Sequence, residues 1–324
     1  MKFILLTTVF ISSFILTFVI RYLALKRKII DIPNERSSHT VPTPRGGGLA
    51  IAIAWYLAIT YLFFNHEIEK SLYFALLSGL FLVGISLADD ILTISAKIRF
   101  LFQTISAGLA LFFLGGLQKI NLGFVELEIS FLASFFVWIA ILWFVNLFNF
   151  LDGIDGYASS EAIFISLGIA FFTFDFIPAI LATATLGFLI WNWQKAKIFM
   201  GDVGSTLLGF TIAIVSIYYQ NVDKMPILIP IILSSVFWFD ATITLIRRKI
   251  NKEKLTQAHR KHAFQRITQA GWSHQKTVVF AQIINVCLLF LILFTNARYL
   301  IVVLFFCILI LSIIYIRIEK KIKF

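Results

Sequence analysis

The chain has 324 residues, 60% of them hydrophobic and only 14% charged, with a mean hydropathy of +0.91 and a formal net charge of +11 at pH 7. These proportions exclude an ordinary soluble domain and indicate a membrane protein. In that setting the positive charge is a topology signal and an attraction to anionic lipid headgroups, so membrane lipids are expected partners and nucleic acid is not.

A spanning helix needs roughly 20 mostly apolar residues. Eleven segments qualify, at 3–25, 47–64, 71–88, 98–115, 130–148, 158–174, 176–193, 204–220, 226–246, 276–295 and 298–316. The first resembles a signal peptide in length. No small-residue cleavage site follows it, however, and its basic cluster "RYLALKRK" lies after the apolar run, so it reads as a retained span. Between the fourth and fifth, "KINLGFVELEIS" alternates apolar and polar residues around Gly123, as either a small outer β-hairpin near 118–129 or a polar loop. Cys287 and Cys307 lie in apolar runs too far apart for a metal knuckle and read as small core residues. No internal repeat suggests the paired halves of a transporter. The expected fold is an all-α polytopic membrane protein of about 11 transmembrane helices, a single integral-membrane domain over 1–324.

Short loops rich in Lys and Arg stay cytoplasmic. Placing Lys2, Lys70, Lys119, Lys224 and Arg298 on one side puts the rest of the 28 Lys and Arg on the other, alternating correctly loop by loop. The N-terminus is therefore expected outside and "RIEKKIKF" in the cytoplasm. All the unusual polar stretches then share the cytoplasmic face, in loops 26–46, 89–97, 149–157, 194–203 and 247–275.

Each stretch has a plain reading and a chemical one. Asp89 and Asp90 end the third span, where an acidic pair is often only a solvated terminus. A helix C-terminus disfavours negative charge, though, so a compensating cation is expected, and two adjacent carboxylates titrate as a coupled pair. "PRGGG" is a turn into the second span, or a place where backbone N–H groups beside His39 and Arg45 approach an anion. "MGDVGS" reads as an N-terminal cap built on Asp202, and a helix N-terminus facing a basic loop is also a phosphate site. His259 and His262, at i and i+3, are expected on one helix face. With no third Cys or His at suitable spacing, zinc is a poor match. Among Arg260, Lys261 and Arg266 they suit a diphosphate or sugar phosphate. In "NLFNFLDGIDGYAS", Asn146, Asn149, Asp152 and Asp155 recur every three residues and form one polar stripe if the span continues to about 152, after which Gly153 and Gly156 break the helix. With Asp89, Asp90 and Asp202, these oxygens suit magnesium or manganese, which bind through a few protein oxygens plus substrate phosphates.

Taken in order, these motifs resemble the polyprenyl-phosphate N-acetylhexosamine-1-phosphate transferases, the family of the phospho-N-acetylmuramoyl-pentapeptide translocases and of the initiators of O-antigen, enterobacterial common antigen and teichoic acid linkage. The resemblance runs from about residue 31 to 275 over five motifs. It implies a magnesium-dependent enzyme of the bacterial inner membrane with its active site on the cytoplasmic face. The implied reaction transfers a sugar 1-phosphate from a UDP-N-acetylhexosamine to undecaprenyl phosphate and releases UMP. By the same resemblance Asp89 and Asp90 are the paired aspartates near metal and lipid phosphate, Asp89 being the usual candidate base. Asn149 and Asp202 hold magnesium. Asp152 and Asp155 match D-G-x-D-G, with Asp155 near the nucleotide base, and His259 and His262 match H-x-x-H near the diphosphate or sugar. His39 and Arg45 fall in the matching first loop, and Asn146, Lys197, Arg260 and Arg266 join the expected substrate-binding set. Lys195 stands where Pro is expected and Phe264 where Tyr is common. The His-rich signature of the pentapeptide translocases is absent, which points to the O-antigen and common-antigen initiators and to lipopolysaccharide biosynthesis. The alternatives are a transporter of a lipid or small anion, and a CDP-alcohol phosphotransferase suggested by "DGIDGYAS", where Ser159 replaces the expected Arg. The donor sugar, a one-step or covalent route, and a monomer or homodimer all stay open at this level.

Overall fold

The computed structural model describes residues 2–33, 38–92, 94–122, 124–128, 131–254 and 259–322. Gly123, and residues 34–37 and 255–258 of the first and last polar loops, lie outside the described residues.

Helix α1 (Lys2–Lys26) leads into two short strands, β1 (Ile30–Asp31) and β2 (Thr43–Pro44). They pair antiparallel, Ile30 opposite Pro44 and Asp31 opposite Thr43, a ladder too short for any sequence pattern. Next come α2 (Gly48–Phe64), α3 (Lys70–Leu77), α4 (Leu80–Leu92) and α5 (Ala96–Leu114), then strands β3 (Lys119–Asn121) and β4 (Glu126–Glu128), which pair antiparallel. Then follow α6 (Phe131–Leu151), α7 (Tyr157–Thr173), α8 (Ile177–Asn192), α9 (Gly201–Asn221), α10 (Leu228–Leu233), α11 (Ser235–Ile250), α12 (Ala263–Gln269), α13 (His274–Leu293) and α14 (Leu300–Lys321).

Among the described residues, seven helices are long and apolar enough to cross a membrane, and Gly48–Phe64, Tyr157–Thr173 and Ile177–Asn192 are shorter apolar helices. The chain is a multi-pass membrane protein. Two expected spans are not continuous. The third breaks at Ser78, whose hydroxyl donates to the carbonyls of Ala75 (2.7 Å) and Ser106 (3.0 Å) in place of a continued helical ladder. The ninth breaks at Ser234. Ser234 Oγ bonds the Pro230 carbonyl there, and Trp238 Nε1 donates to that of Ile231.

Helix α9 is the axis of the bundle, buried along most of its length and packed by α2, α3, α4, α6 and α7. The outer helices α1 and α14 instead expose Phe3, Ile11, Phe18, Phe305 and Phe306, an apolar surface suited to lipid. One close approach sets the site. A Cβ on Gly48 would lie 2.3 Å from the Gly204 Cα, so only glycines let the start of α2 meet the start of α9. Gly47 and Gly48 donate their N–H groups to the carbonyls of Phe199 and Met200, at 2.9 and 2.8 Å. Two of the three glycine N–H groups in "PRGGG" are therefore spent in docking the loop onto the segment that leads into α9, and the same loop delivers Arg45 to the site.

Candidate active site

Asp202 lies in the first turn of α9, which is capped at Met200 and begins two residues earlier than a cap at Asp202 would require. Its two carboxylate oxygens face two arginines: Arg45 Nη2 is 2.6 Å from Oδ1 and Arg99 Nη1 is 2.9 Å from Oδ2. Each arginine also holds one of the paired aspartates at the end of α4, Arg45 Nε with Asp90 at 3.0 Å and Arg99 Nη1 with Asp89 at 2.9 Å. The second Asp89 oxygen accepts the Ile94 N–H. The result is an alternating chain, Asp90–Arg45–Asp202–Arg99–Asp89, drawn from the loop before α2, α4, α5 and α9. Three carboxylates share two guanidiniums, so the centre keeps an excess negative charge. Asn149, near the end of α6, donates Nδ2 to Ser205 Oγ at 3.1 Å, leaving its amide oxygen as the acceptor for a cation.

Beside this chain lies a cavity of about 380 Å³. Arg45, Asn149 and Asp202 line one part, and Asp152, Gly153, Ile154, Asp155 and Asn192 another. Asp31, Ser38, His39, Phe199, Gly201, Gln265 and His274 complete it. Four aspartates and one arginine face the space, so a phosphorylated ligand enters only with cations to offset that charge. His39 presents a buried Nε2 that has no hydrogen-bond partner among the described residues, its ring set edge-on to Phe199. Asp155 Oδ2 accepts the Ala196 N–H at 3.2 Å and lies 3.3 Å from His274 Nδ1. Asn192 braces the same loop, its Oδ1 accepting the Gly156 N–H at 3.0 Å and its Nδ2 donating to the Ile198 carbonyl. Asp152 belongs to the same acidic wall. Loss of water pushes its carboxyl up to about 7, Asp202 adds to the rise, Arg45 opposes it, and Asp155 and Asp90 contribute further.

Other expected residues stand elsewhere. Asn146 donates to Gln103 Oε1 (2.9 Å) and the Leu142 carbonyl and does not line the cavity, so the polar stripe divides, its first member tying α6 to α5. Lys197 is exposed with its ammonium over the Trp191 ring. Arg266 is buried against Glu319 and the Ile322 carbonyl, joining α12 to α14, and Arg247 closes on the same Glu319. Neither Arg260 nor Arg266 lines the cavity.

His259 and His262 do not share a helix face. Asp240 accepts the N–H groups of Ala263 (2.8 Å) and Phe264 (3.5 Å), so α12 starts after His262, which has extended backbone. The two rings still meet, their centroids 4.8 Å apart, with His262 buried against Phe264. Burial, then His262 and Arg248, push His259 down to about 4 against the pull of Glu253, so it is a neutral imidazole at neutral pH. What α12 gives the cavity is Gln265. Arg99, Asn192, Gln265 and His274 were not singled out from the sequence. Arg99 carried a faint signal, a cation ten residues beyond an acidic pair, and His274 stands directly after a helix-capping serine; the other two carried none.

Among the described residues no group of three or more His, Cys, Asp or Glu side chains forms a metal cage. The oxygen donors nevertheless fit magnesium, which takes one or two carboxylates and completes its octahedron with water and substrate phosphate.

Fold and cavity define a polytopic membrane protein whose polar chemistry is collected at one end of the bundle. A family model described as "Glycosyl transferase family 4" matches residues 72–220, from α3 to the end of α9. The Bacillus subtilis (strain 168) protein named "Probable undecaprenyl-phosphate N-acetylglucosaminyl 1-phosphate transferase" is 30% identical over 297 residues, 85% of this chain and 79% of that one. "Decaprenyl-phosphate N-acetylglucosaminephosphotransferase" of Mycobacterium tuberculosis is 29% identical over 314 residues, 84% and 77% of the two chains. "Undecaprenyl-phosphate alpha-N-acetylglucosaminyl 1-phosphate transferase" of Thermotoga maritima is 33% identical over 221 residues, 66% and 65%. The chain belongs to glycosyl transferase family 4.

Proposed function

We propose that the protein transfers N-acetylglucosamine 1-phosphate from UDP-N-acetylglucosamine to undecaprenyl phosphate, giving the lipid diphosphosugar and UMP, the first membrane step of a cell-surface polysaccharide. The observation that carries this reading is the acid-rich cavity beside the arginine-braced chain, at the end of a helix bundle, where a soluble nucleotide and a membrane-bound phosphate can meet. The names of the relatives support the sugar and the lipid. The charge asymmetry of the loops supports eleven crossings, an outer N-terminus and a site on the cytoplasmic face of the bacterial inner membrane. In this reading the domain is the whole chain, and the paired strands β3 and β4 are an outer hairpin.

In the reaction an oxygen of the acceptor phosphate bonds to the sugar-bearing phosphorus while the bond from that phosphorus to the UMP oxygen breaks. Asp202, Asn149 and the Asp89–Asp90 pair would hold Mg2+, with Mn2+ as a substitute. When bound, the ion supplies charge neutralisation at the diphosphate. Arg45 and Arg99 keep the three carboxylates in fixed register, so little reorganisation is needed as charge develops. Asp152 and Asp155 form the wall facing the donor, and α12 closes the cavity through Gln265.

The test uses purified protein in detergent with undecaprenyl phosphate, magnesium and, separately, UDP-GlcNAc, UDP-GalNAc and UDP-MurNAc-pentapeptide, with UMP as the readout. UMP from UDP-GlcNAc, abolished by EDTA, is the expected result. UMP from another donor alone would correct the sugar, and none from any donor would overturn the reaction.

A further inference from the structure

Asp155 is the meeting point of three segments that are distant in sequence. It belongs to the α6–α7 loop, its Oδ2 accepts the Ala196 N–H of the α8–α9 loop, and both its own N–H and its Oδ2 lie 3.3 Å from Nδ1 of His274, the first residue of α13. The adjacent residue repeats the connection, since the Gln275 N–H donates to Gln194 Oε1 at 2.7 Å, again in the α8–α9 loop. The start of α13 thereby closes a ring of contacts around one carboxylate that faces the cavity. Ser273 caps that helix by accepting the Lys276 N–H at 3.2 Å, which fixes the position of the imidazole next to it.

From this geometry we infer that His274 is a positioning residue: through Nδ1 it holds the Asp155 loop in the conformation that receives the nucleotide of the donor. The role rests on the transfer reaction proposed above and adds to it a residue that acts on donor binding and leaves the transfer step alone. One ring atom does the work: Nδ1 accepts the Asp155 N–H. An amide oxygen can accept the same bond, because Asn Oδ1 reaches the place of Nδ1, whereas the Gln amide reaches the position of Nε2.

The experiment measures KM for UDP-GlcNAc and kcat separately in His274→Ala, His274→Asn and His274→Gln, with wild-type UMP release as the reference. The Ala variant is expected to raise KM about tenfold, the scale of one lost hydrogen bond, with kcat within about twofold. The Asn variant is expected to return KM to near the wild-type value, and the Gln variant to behave like Ala. Rescue by Gln and not by Asn would mean that Nε2 touches substrate directly and would overturn the inference. A fall in kcat at constant KM, or no change in the Ala variant, would overturn it too. Should the Ala variant fail to fold, the Asn and Gln pair still decides. An inactive wild type would count against the transfer reaction itself, which separates the two failures.

Discussion

At the start of α9, Asp202 shares two arginines with Asp89 and Asp90. At the other end of the same helix, about 30 Å away along its 21 residues, Lys119 lies between Glu126 and Asp223 at 2.7 and 2.9 Å, and Lys224 reaches Asp175 at 3.3 Å. Ion pairs occur at both ends, and their settings differ. The Asp90 side chain is 4% exposed and that of Asp202 15%, against 49% for Glu126 and 63% for Asp223; Asp175 is 16% exposed, but its partner Lys224 is 49% exposed. Exposed pairs are screened by water and contribute little, whereas charges at a cavity wall act through a lower dielectric. The Lys119 pairs secure β3 and β4 beside the end of α9, where Asn221 also donates to the Gly116 carbonyl at 2.7 Å, and Lys224–Asp175 ties that end to the α7–α8 connection. Ion pairing alone therefore does not mark a site, since three acids meet two bases at each end; burial beside an empty volume does.

The comparison breaks most sharply at Asp202. Asp202→Asn removes the carboxylate common to both arginines, and turnover is expected to fall by about 10³-fold with the helical circular dichroism unchanged. Wild-type turnover in that variant would remove the centre from the chemistry. Arg45→Ala severs Asp90 from Asp202 and is expected to lower turnover of the order of 10²-fold, read by the same UMP assay. Asp152 yields a pH effect. With its value near 7 it holds a proton below that pH and releases it above, so an enzyme that uses the carboxylate gains kcat/KM as pH rises through 7. Asp152→Asn should flatten that rise, and a profile that instead falls through pH 7 would give Asp152 the acid's part. Asp240→Ala removes the acceptor for the first N–H groups of α12 and should cost about 1 kcal/mol of stability, seen as a lower melting temperature. Smallest of all, Lys119→Ala at the far end should leave turnover within error; a large loss there would erase the contrast between the two ends.

Much of this is legible in the sequence, because lipid imposes long apolar runs, and among the described residues the helices long and apolar enough to cross a membrane lie in such runs. The acidic stations were legible as well, since carboxylates at the ends of apolar helices need compensation. The source of the compensating charge is less legible: the sequence calls for something positive and suggests a cation, while the pairing with Arg45 and Arg99 across the α2 entry, α5 and α9 depends on the Gly48–Gly204 approach. His259 and His262 were placed on a helix by spacing, but Asp240, about twenty residues earlier, sets where that helix begins. His274, Asn192 and Gln265 are single polar residues whose significance lies in contacts between distant loops, and no local pattern encodes such contacts.

The closure of Arg247 and Arg266 on Glu319 also extends the reach of the cavity beyond the residues that line it. Helix α12 supplies Gln265 to the cavity wall, and α14, which contributes no residue to the lining, grips α12 through that carboxylate. A change that shifts α14 is therefore felt at the cavity wall, although α14 itself stands outside it.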